Sequence, residues 1–376
     1  MKILLRGYYG FGNFGDDLLL CACHSIVREQ FPYAEISVFA NFSEALQDFP
    51  GPAGYREYLY TILGGTPELI DWRDERYFDL ELYGGGGVFK SGQVKTSAGV
   101  NNLFALALGA SRVSKIIACV RKGCSRESRI RSSVAIAIGV SVERHSNLSE
   151  NLLQNMEQLG RLDEIYVRDS ESAANVQHLG LKCQLGSDLA FALKDRIRAK
   201  QIERSKRKGI GAILCAGKPK TGQVLEVLRS RHDAEPVTLI FFDENFDRDL
   251  IEEAQSKGLN VLVWRPRQMS IDEFLELLAQ FSLVISNRFH GALTAAMLDI
   301  PSIVLETDAK LKSASKILPN SVDNFSLTGS IDDLHMRIDA VKSNDYFLTN
   351  QIESDINRQY MAVQSMVASA FRLNND

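Results

Sequence analysis

Short, nearly unbroken apolar runs alternate along this chain with stretches whose apolar residues recur every three or four positions. The runs read as strands buried on both faces, and the periodic stretches as helices packed by one face. In the first half the strand candidates are "KILLRG", "EISVFA", "LELYGGGG", "KIIACV", "VAIAIGV" and "EIYVRD". The second half continues with "GIGAILCAG", "VTLIFF", "VLVWRP", "LVISNR" and "PSIVLE". Helical stretches lie between them, such as Leu18 to Phe31 with apolar positions at 18, 19, 22, 26 and 27. "SIDEFLELLAQF" opens with a capping box, Ser270 followed by Glu273. Such alternation predicts parallel sheets with crossover helices.

The pattern is interrupted by "LKDRIRAKQIERSKRKG", which holds eight Lys or Arg, two acids and no long apolar face. The reading that follows is a Rossmann-like domain over 1–195, a basic linker over 196–208, a second Rossmann-like domain over 209–345 and a C-terminal amphipathic helix over 346–376. In that helix the apolar residues fall at 352, 356, 360, 363, 367 and 371, a stripe suited to packing across a domain. Two doubly wound α/β domains facing a central cleft, finished by a helix, make a GT-B-like architecture. Ligands in such sheets bind outside the carboxyl ends of the strands. The linker reads as a solvated basic segment, with contact to an anionic lipid or polymer as the alternative. The same two readings apply to a second basic cluster, Lys115 to Arg131.

Composition narrows the class. Across 376 residues, 45% hydrophobic and 24% charged is the profile of a globular protein. A net charge of −4 gives no pointer to nucleic acid. The longest apolar candidate for a membrane span, "NNLFALALGASRVSKIIACV", is broken by Arg112 and Lys115. The N-terminal run has no cleavage-site pattern and reads as a core strand, so a cytoplasmic location is expected. The six cysteines, at 21, 23, 119, 124, 183 and 215, form no Cys-x-x-Cys pair and are expected as reduced, buried thiols.

The stretch "YYGFGNFGDD" carries G-x-G-x-x-G at Gly10, Gly12 and Gly15, between a strand and a helix. Asp16 and Asp17 then place negative charge where a pyrophosphate would rest, and the second strand ends on Asn41 instead of an acid for a ribose. A dinucleotide is therefore disfavoured. Two readings stay open. In one, the glycines only turn the chain and Asp16 caps the helix. In the other, Asn13 and Asp17 point into the cleft and bond neutral hydroxyls. Gly84 to Gly87 make a second glycine turn at a strand end, where backbone N–H groups can approach a ligand.

In "VISNRFHGALTAAMLDIPSIVLETDAK" a strand ends at Ser286, Arg288 and His290 emerge in the turn, and Lys310 follows the next strand. Strand ends on one sheet edge would bring these cations to the cleft. His290, two residues from an arginine at a strand–helix turn, is the candidate acid/base group. In the first half, "EIYVRDSES" ends a strand with Arg168, and "LGSDLAF" places Asp188 after another, with a bridge between domains as one reading. The D-x-D at Asp247 and Asp249 lies in a polar loop and is set aside.

Taken in order, "GYYGFGNFGDD", "YGGGGVF", "YVRDSES…LGSDLAF" and "SNRFHGALTAAMLDIPSIVL…DAK" resemble the polysaccharide pyruvyl transferase family over nearly the whole chain. One departure is "TDAK", where the family often has Tyr-Asp-Pro-Lys. The resemblance implies a GT-B-like fold, phosphoenolpyruvate as donor, and a pyruvate ketal placed on a sugar of a cell-surface or exopolysaccharide. It implies a donor side on the second domain, with Arg168, Arg288 and Lys310 as clamp, Ser286 beside them and His290 at the reacting carbon. The acceptor, a sugar, oligosaccharide or lipid-linked glycan, would face Gly10, Asn13, Gly15, Asp16, Gly85 and Gly86, with Asp17 as a further candidate base. The chemistry suits a small polyanion, since arginines grip carboxylate and phosphate in bidentate fashion and a lysine adds a point charge. No metal or other cofactor is required on this reading. Peripheral contact at the inner face of the membrane would fall to the basic segments. The alternative is a GT-B glycosyltransferase using a nucleotide-sugar donor, with Glu306 and Asp308 pressed into holding the ribose.

Overall fold

The computed structural model describes residues 1–39, 51–65, 67–70, 74–89, 130–143, 150–328, 330, 332–343 and 349–372. The "KIIACV" strand, Cys119, Cys124, Asn41, the candidate membrane span and nearly all of the 115–131 basic cluster lie outside them.

The first sheet holds β1 (Lys2–Arg6), β2 (Glu35–Phe39), β3 (Glu68–Ile70), β4 (Tyr77–Phe89), β5 (Arg131–Val142), β6 (Glu164–Val167) and β7 (Gln184–Leu185). Their order is β3-β2-β1-β4-β5-β6-β7. The second holds β8 (Ile210–Ile213), β9 (Val237–Phe241), β10 (Asn260–Val263), β11 (Leu283–Ser286), β12 (Ser302–Glu306) and β13 (Val322–Ser326), ordered β10-β9-β8-β11-β12-β13. Every pairing is parallel, which helices on both faces enforce: β8 and β11 are buried at each position. The strand order reverses between β1 and β4 in one sheet and between β8 and β11 in the other, so each sheet has a crevice at those carboxyl ends. β4 bends there: Gly85 and Gly86 take φ of 68° and 72°, and its register with β5 shifts between Gly86 and Phe89.

Helix Phe14–Gln30 follows β1 and is buried along most of its length because it lies on the seam between the two sheets. Its first residue, Phe14, packs its ring against Phe242, Trp264 and Phe274 of the second sheet's layer, at centroid distances of 4.8, 5.2 and 4.7 Å. Helix Thr349–Ala370 closes the same seam. Its Asp355 accepts from the Asn320 amide at 2.9 Å, while Gln359 accepts from Ser187 at 2.8 Å and Phe371 meets Phe31 at 5.3 Å. Among the described residues no helix is long and apolar enough to cross a membrane.

The basic segment after β7 is anchored to the second domain at several side chains, while Glu203 to Lys206 stay exposed as the solvated reading expects. Arg196 pairs with Asp272 at 2.7 Å, Lys200 with Glu276 at 2.7 Å and Arg204 with Asp299 at 2.9 Å. Arg207 is buried, and its guanidinium donates to the Leu298 carbonyl at 2.9 Å. The acids that hold this segment lie some seventy or more residues further on, so its local sequence reads as unpartnered charge.

Candidate active site

The turn after β11 presents the cations. Ser286 Oγ donates to the Arg288 carbonyl at 2.8 Å and accepts from the Arg288 amide at 3.1 Å, which fixes Arg288 at the N-cap of helix Phe289–Met297. Ser286 is fully buried with its hydroxyl engaged twice, so it shapes the turn and does not face a ligand. Gly291 is needed beside it, because a Cβ there would stand 2.5 Å from that hydroxyl.

His290, in the first turn of this helix, reaches across to the first domain. Its Nε2 lies 3.5 Å from Asp188 Oδ2, and the same oxygen accepts from Arg168 Nη1 at 3.2 Å. Asp188 Oδ1 accepts from the Ala190 amide at 3.0 Å. Burial would raise the Asp188 carboxyl, but the His290 and Arg168 charges outweigh it and hold the group at about 2. Arg168 also donates to Asp169 at 3.2 Å, and its guanidinium lies 4.4 Å from the centre of the Phe289 ring. At 3% side-chain exposure, Arg168 is buried, with its guanidinium engaged by Asp169, Asp188 and the Phe289 face.

A second cluster lies on the same edge. Arg288 Nη2 bonds Asp247 Oδ2 at 2.5 Å, and Asp247 Oδ1 accepts from the Ala216 amide at 2.8 Å. Burial raises the Asp247 carboxyl despite the Arg288 charge. This aspartate, set aside in the sequence as part of a polar loop, is fully buried and holds the principal arginine. Lys310 spans the domains to Glu143 Oε1, just past β5, at 2.7 Å. Asp308 pairs with Lys218 at 2.6 Å and caps its own helix through the Leu311 amide, while Glu306 accepts from Asn324 at 2.8 Å.

The glycine loop closes the site from the first domain. Asn13, not Asp16, caps the helix: its Oδ1 accepts from the amides of Gly15 at 3.0 Å and Asp16 at 3.4 Å. Asn13 also bridges its backbone to Asp243, and the Phe14 amide donates to the Phe242 carbonyl at 2.9 Å. Asp17 is turned inward, fully buried, and accepts from the Tyr58 hydroxyl and from Trp264 Nε1, so it does not face the cleft. Burial pushes its carboxyl well above the ordinary range. Gly10, at φ 88°, carries the loop back, and the Tyr9 hydroxyl donates to the Gly84 carbonyl, joining the two glycine turns. Gly85 lies over Leu19, and a Cβ on Gly86 would meet Asp16 Oδ1 at 3.3 Å. Gly15 abuts His290, since a Cβ on it would stand 2.4 Å from Nδ1.

Thus His290 stands against Gly15 with Asp188 and Arg168 behind it, Arg288 shares its turn, and Lys310 follows the neighbouring strand β12. Sequence reading alone missed Glu143, Asp247 and Trp264. The available signal was position: Glu143 directly follows β5, and Trp264 directly follows β10.

Residues 13–309 match the profile of a family described as polysaccharide pyruvyl transferase. No curated protein matches the chain. Among solved structures, the chain is similar to Anabaena HepE in complex with UDP, at 12% identity and a TM-score of 0.54 over 100% of this chain and 98% of that one. It is similar to S. aureus MnaA with UDP, at 10% identity and a TM-score of 0.60 over 99% and 97%. It is also similar to UDP-GlcNAc 2-epimerase from Neisseria meningitidis bound to UDP-GlcNAc, at 12% identity and 0.50 over 95% and 99%. At such identities the likeness is one of fold, a GT-B arrangement of two parallel-sheet domains with a C-terminal helix.

Proposed function

The chain belongs to the polysaccharide pyruvyl transferase family, and we propose that it moves a pyruvyl group from phosphoenolpyruvate onto two hydroxyls of one sugar, forming a cyclic ketal. The observation that carries this reading is the placement of Arg288 and His290 in the turn after β11 and of Lys310 at the start of the helix that follows the neighbouring strand β12, on one carboxyl edge of the second sheet. Arg288 and Lys310 take the carboxylate and phosphate of the donor; Asp247 holds Arg288 in place beforehand, and Glu143 is the carboxylate that Lys310 exchanges for the donor. His290 gives a proton to the methylene carbon, which leaves the neighbouring carbon cationic. A sugar hydroxyl attacks that carbon, and its proton restores His290. The carbon–oxygen bond to phosphate breaks, the second hydroxyl closes the ring, and its proton leaves with the phosphate. Fixed cations support the departing charge, and the scheme calls on no cofactor.

The acceptor, a sugar, oligosaccharide or lipid-linked glycan of a cell-surface or exopolysaccharide, lies on the side of Gly10, Gly15, Gly85 and Gly86. Nucleic acid is no part of the reading. The protein works in the cytoplasm, where contact with the inner face of the membrane falls to the 115–131 cluster, since Arg196, Lys200 and Arg204 are held in ion pairs.

A nucleotide-sugar glycosyltransferase is the second reading, favoured by the UDP held in the similar structures of HepE and MnaA. Calorimetry with phosphoenolpyruvate, a uridine-diphosphate sugar and NAD separates the readings. Saturable binding of phosphoenolpyruvate, weakened in Lys310→Ala, supports pyruvyl transfer. Binding of the nucleotide sugar with indifference to phosphoenolpyruvate overturns it.

A further inference from the structure

Resting on the reading of His290 as the proton-transfer group, we infer that Asp188 is its positioning residue: the carboxylate holds the imidazole with the proton on Nε2 and leaves Nδ1, on the Gly15 side, to exchange protons with the substrate. An ionised carboxylate only accepts hydrogen bonds, so a nitrogen facing it must carry a hydrogen. Nε2 is buried and lies at an ion-pair distance of 3.5 Å from Asp188 Oδ2, and it makes no hydrogen bond to any other group. The carboxylate is itself fixed at both oxygens, by the Ala190 amide at 3.0 Å and by Arg168 at 3.2 Å. Arg168 stacks on Phe289, the residue preceding His290, so acid, base and cation are locked to one turn.

Nδ1 faces the opposite way, toward the start of helix Phe14–Gln30, where position 15 has no side chain. The glycine of the apparent dinucleotide fingerprint thus has a different purpose: any larger residue would collide with the reacting nitrogen. Arg168 acts at one remove, keeping Asp188 ionised and still. The domain boundary runs between His290 and its orienting acid, so the proton-transfer group is assembled only when the two domains meet.

The full-length protein labelled with 15N-histidine tests this. Its imidazole shifts are read above the pH at which His290 titrates, with His290→Gln identifying the signal among six histidines. The Nε2–H tautomer is expected in the wild type, and loss of that preference in Asp188→Asn. The wild-type measurement stands even if the variant does not fold. Turnover of Asp188→Asn, followed by phosphate release, is expected to fall about 10²-fold, with phosphoenolpyruvate affinity little changed. The charges around the ring are Asp188, Arg168 and Asp169 behind it, Asp16 on the helix beside Gly15, and Arg288 on its own turn, paired with Asp247 from the loop after β9. Removing the nearest negative charge disfavours the imidazolium, so the alkaline limb of the rate profile moves to lower pH. An Nδ1–H tautomer in the wild type, or unchanged tautomer and limb in Asp188→Asn, would overturn the inference. If the tautomer behaves as expected but phosphoenolpyruvate releases no phosphate with any sugar, pyruvyl transfer fails and the role of Asp188 stands.

Discussion

Trp264 donates its indole N–H to Asp17 Oδ2 at 2.7 Å, joining a helix of the first domain to a strand end of the second. The bond sits inside the aromatic cluster of Phe14, Phe242, Trp264 and Phe274, where no water competes for it. An acid in such a place serves as an acceptor for Trp264 and Tyr58, and its charge is a liability.

Asp17→Asn is therefore expected to stabilise the protein near neutral pH. Burial raises the native carboxyl well above its unfolded value. Its contribution to stability is fully present below the unfolded value, about 3.9, and is lost as pH rises through the native one. Asparagine keeps an acceptor for Trp264 and removes that loss. Urea denaturation across the range from pH 4 to pH 8 checks it: the gap between variant and wild type should widen as pH rises. A variant less stable at pH 8 would show that the charge itself is needed.

Gly15 and Gly12 separate the two jobs a glycine can have in this loop. A methyl at position 15 would stand 2.4 Å from His290 Nδ1, so Gly15→Ala is expected to fold and lose about 10²-fold in turnover by displacing the ring. Gly12, at φ 72°, has open space around its Cα, so Gly12→Ala costs about 1 kcal/mol of backbone strain and leaves turnover near wild type. Thermal melts beside phosphate-release rates distinguish them.

Arg288→Ala alone confounds two effects, because it leaves the buried Asp247 carboxylate without its cation. A loss of about 3–5 kcal/mol in stability is expected. The double variant Arg288→Ala/Asp247→Asn should recover most of that stability while still failing to bind phosphoenolpyruvate. Recovery of donor binding in the double variant would exclude Arg288 from the donor site.

Most of this architecture is legible along the chain. The strands β1, β2, β4 to β6 and β8 to β12 announce themselves as apolar runs. β3 and β7 are too short, at three and two residues, and β13 reads "VDNFS" because an edge strand needs little apolar surface. His290, Arg288 and Lys310 are visible because cations cluster at strand ends. Asp188 is visible too, as a bridge between domains, but none of the pairings is: Asp188 with His290, Asp247 with Arg288 and Glu143 with Lys310 pair across 41 to 167 positions. Asp16 and Asn13 are equally good caps by residue type, and only the phase of the helix, which starts at Phe14, selects Asn13.

Lys310 and Glu143 supply a last prediction, because the same lysine is asked to hold an acid of the first domain and an anion of the donor. Both side chains are about one-third exposed, so solvent screens the pair and its worth is at most about 1 kcal/mol. If the donor displaces Glu143, removing the acid's charge spares that exchange, and Glu143→Gln should bind phosphoenolpyruvate up to about fivefold more tightly at low salt. The gain should shrink as salt rises through about 0.15 M, where the Debye length falls to about 8 Å. Lys310→Ala should weaken binding and make the Glu143 substitution neutral. Calorimetric titration of the two single variants and the double closes the cycle. Weaker binding in Glu143→Gln would mean that the acid positions the lysine for the donor and does not compete with it.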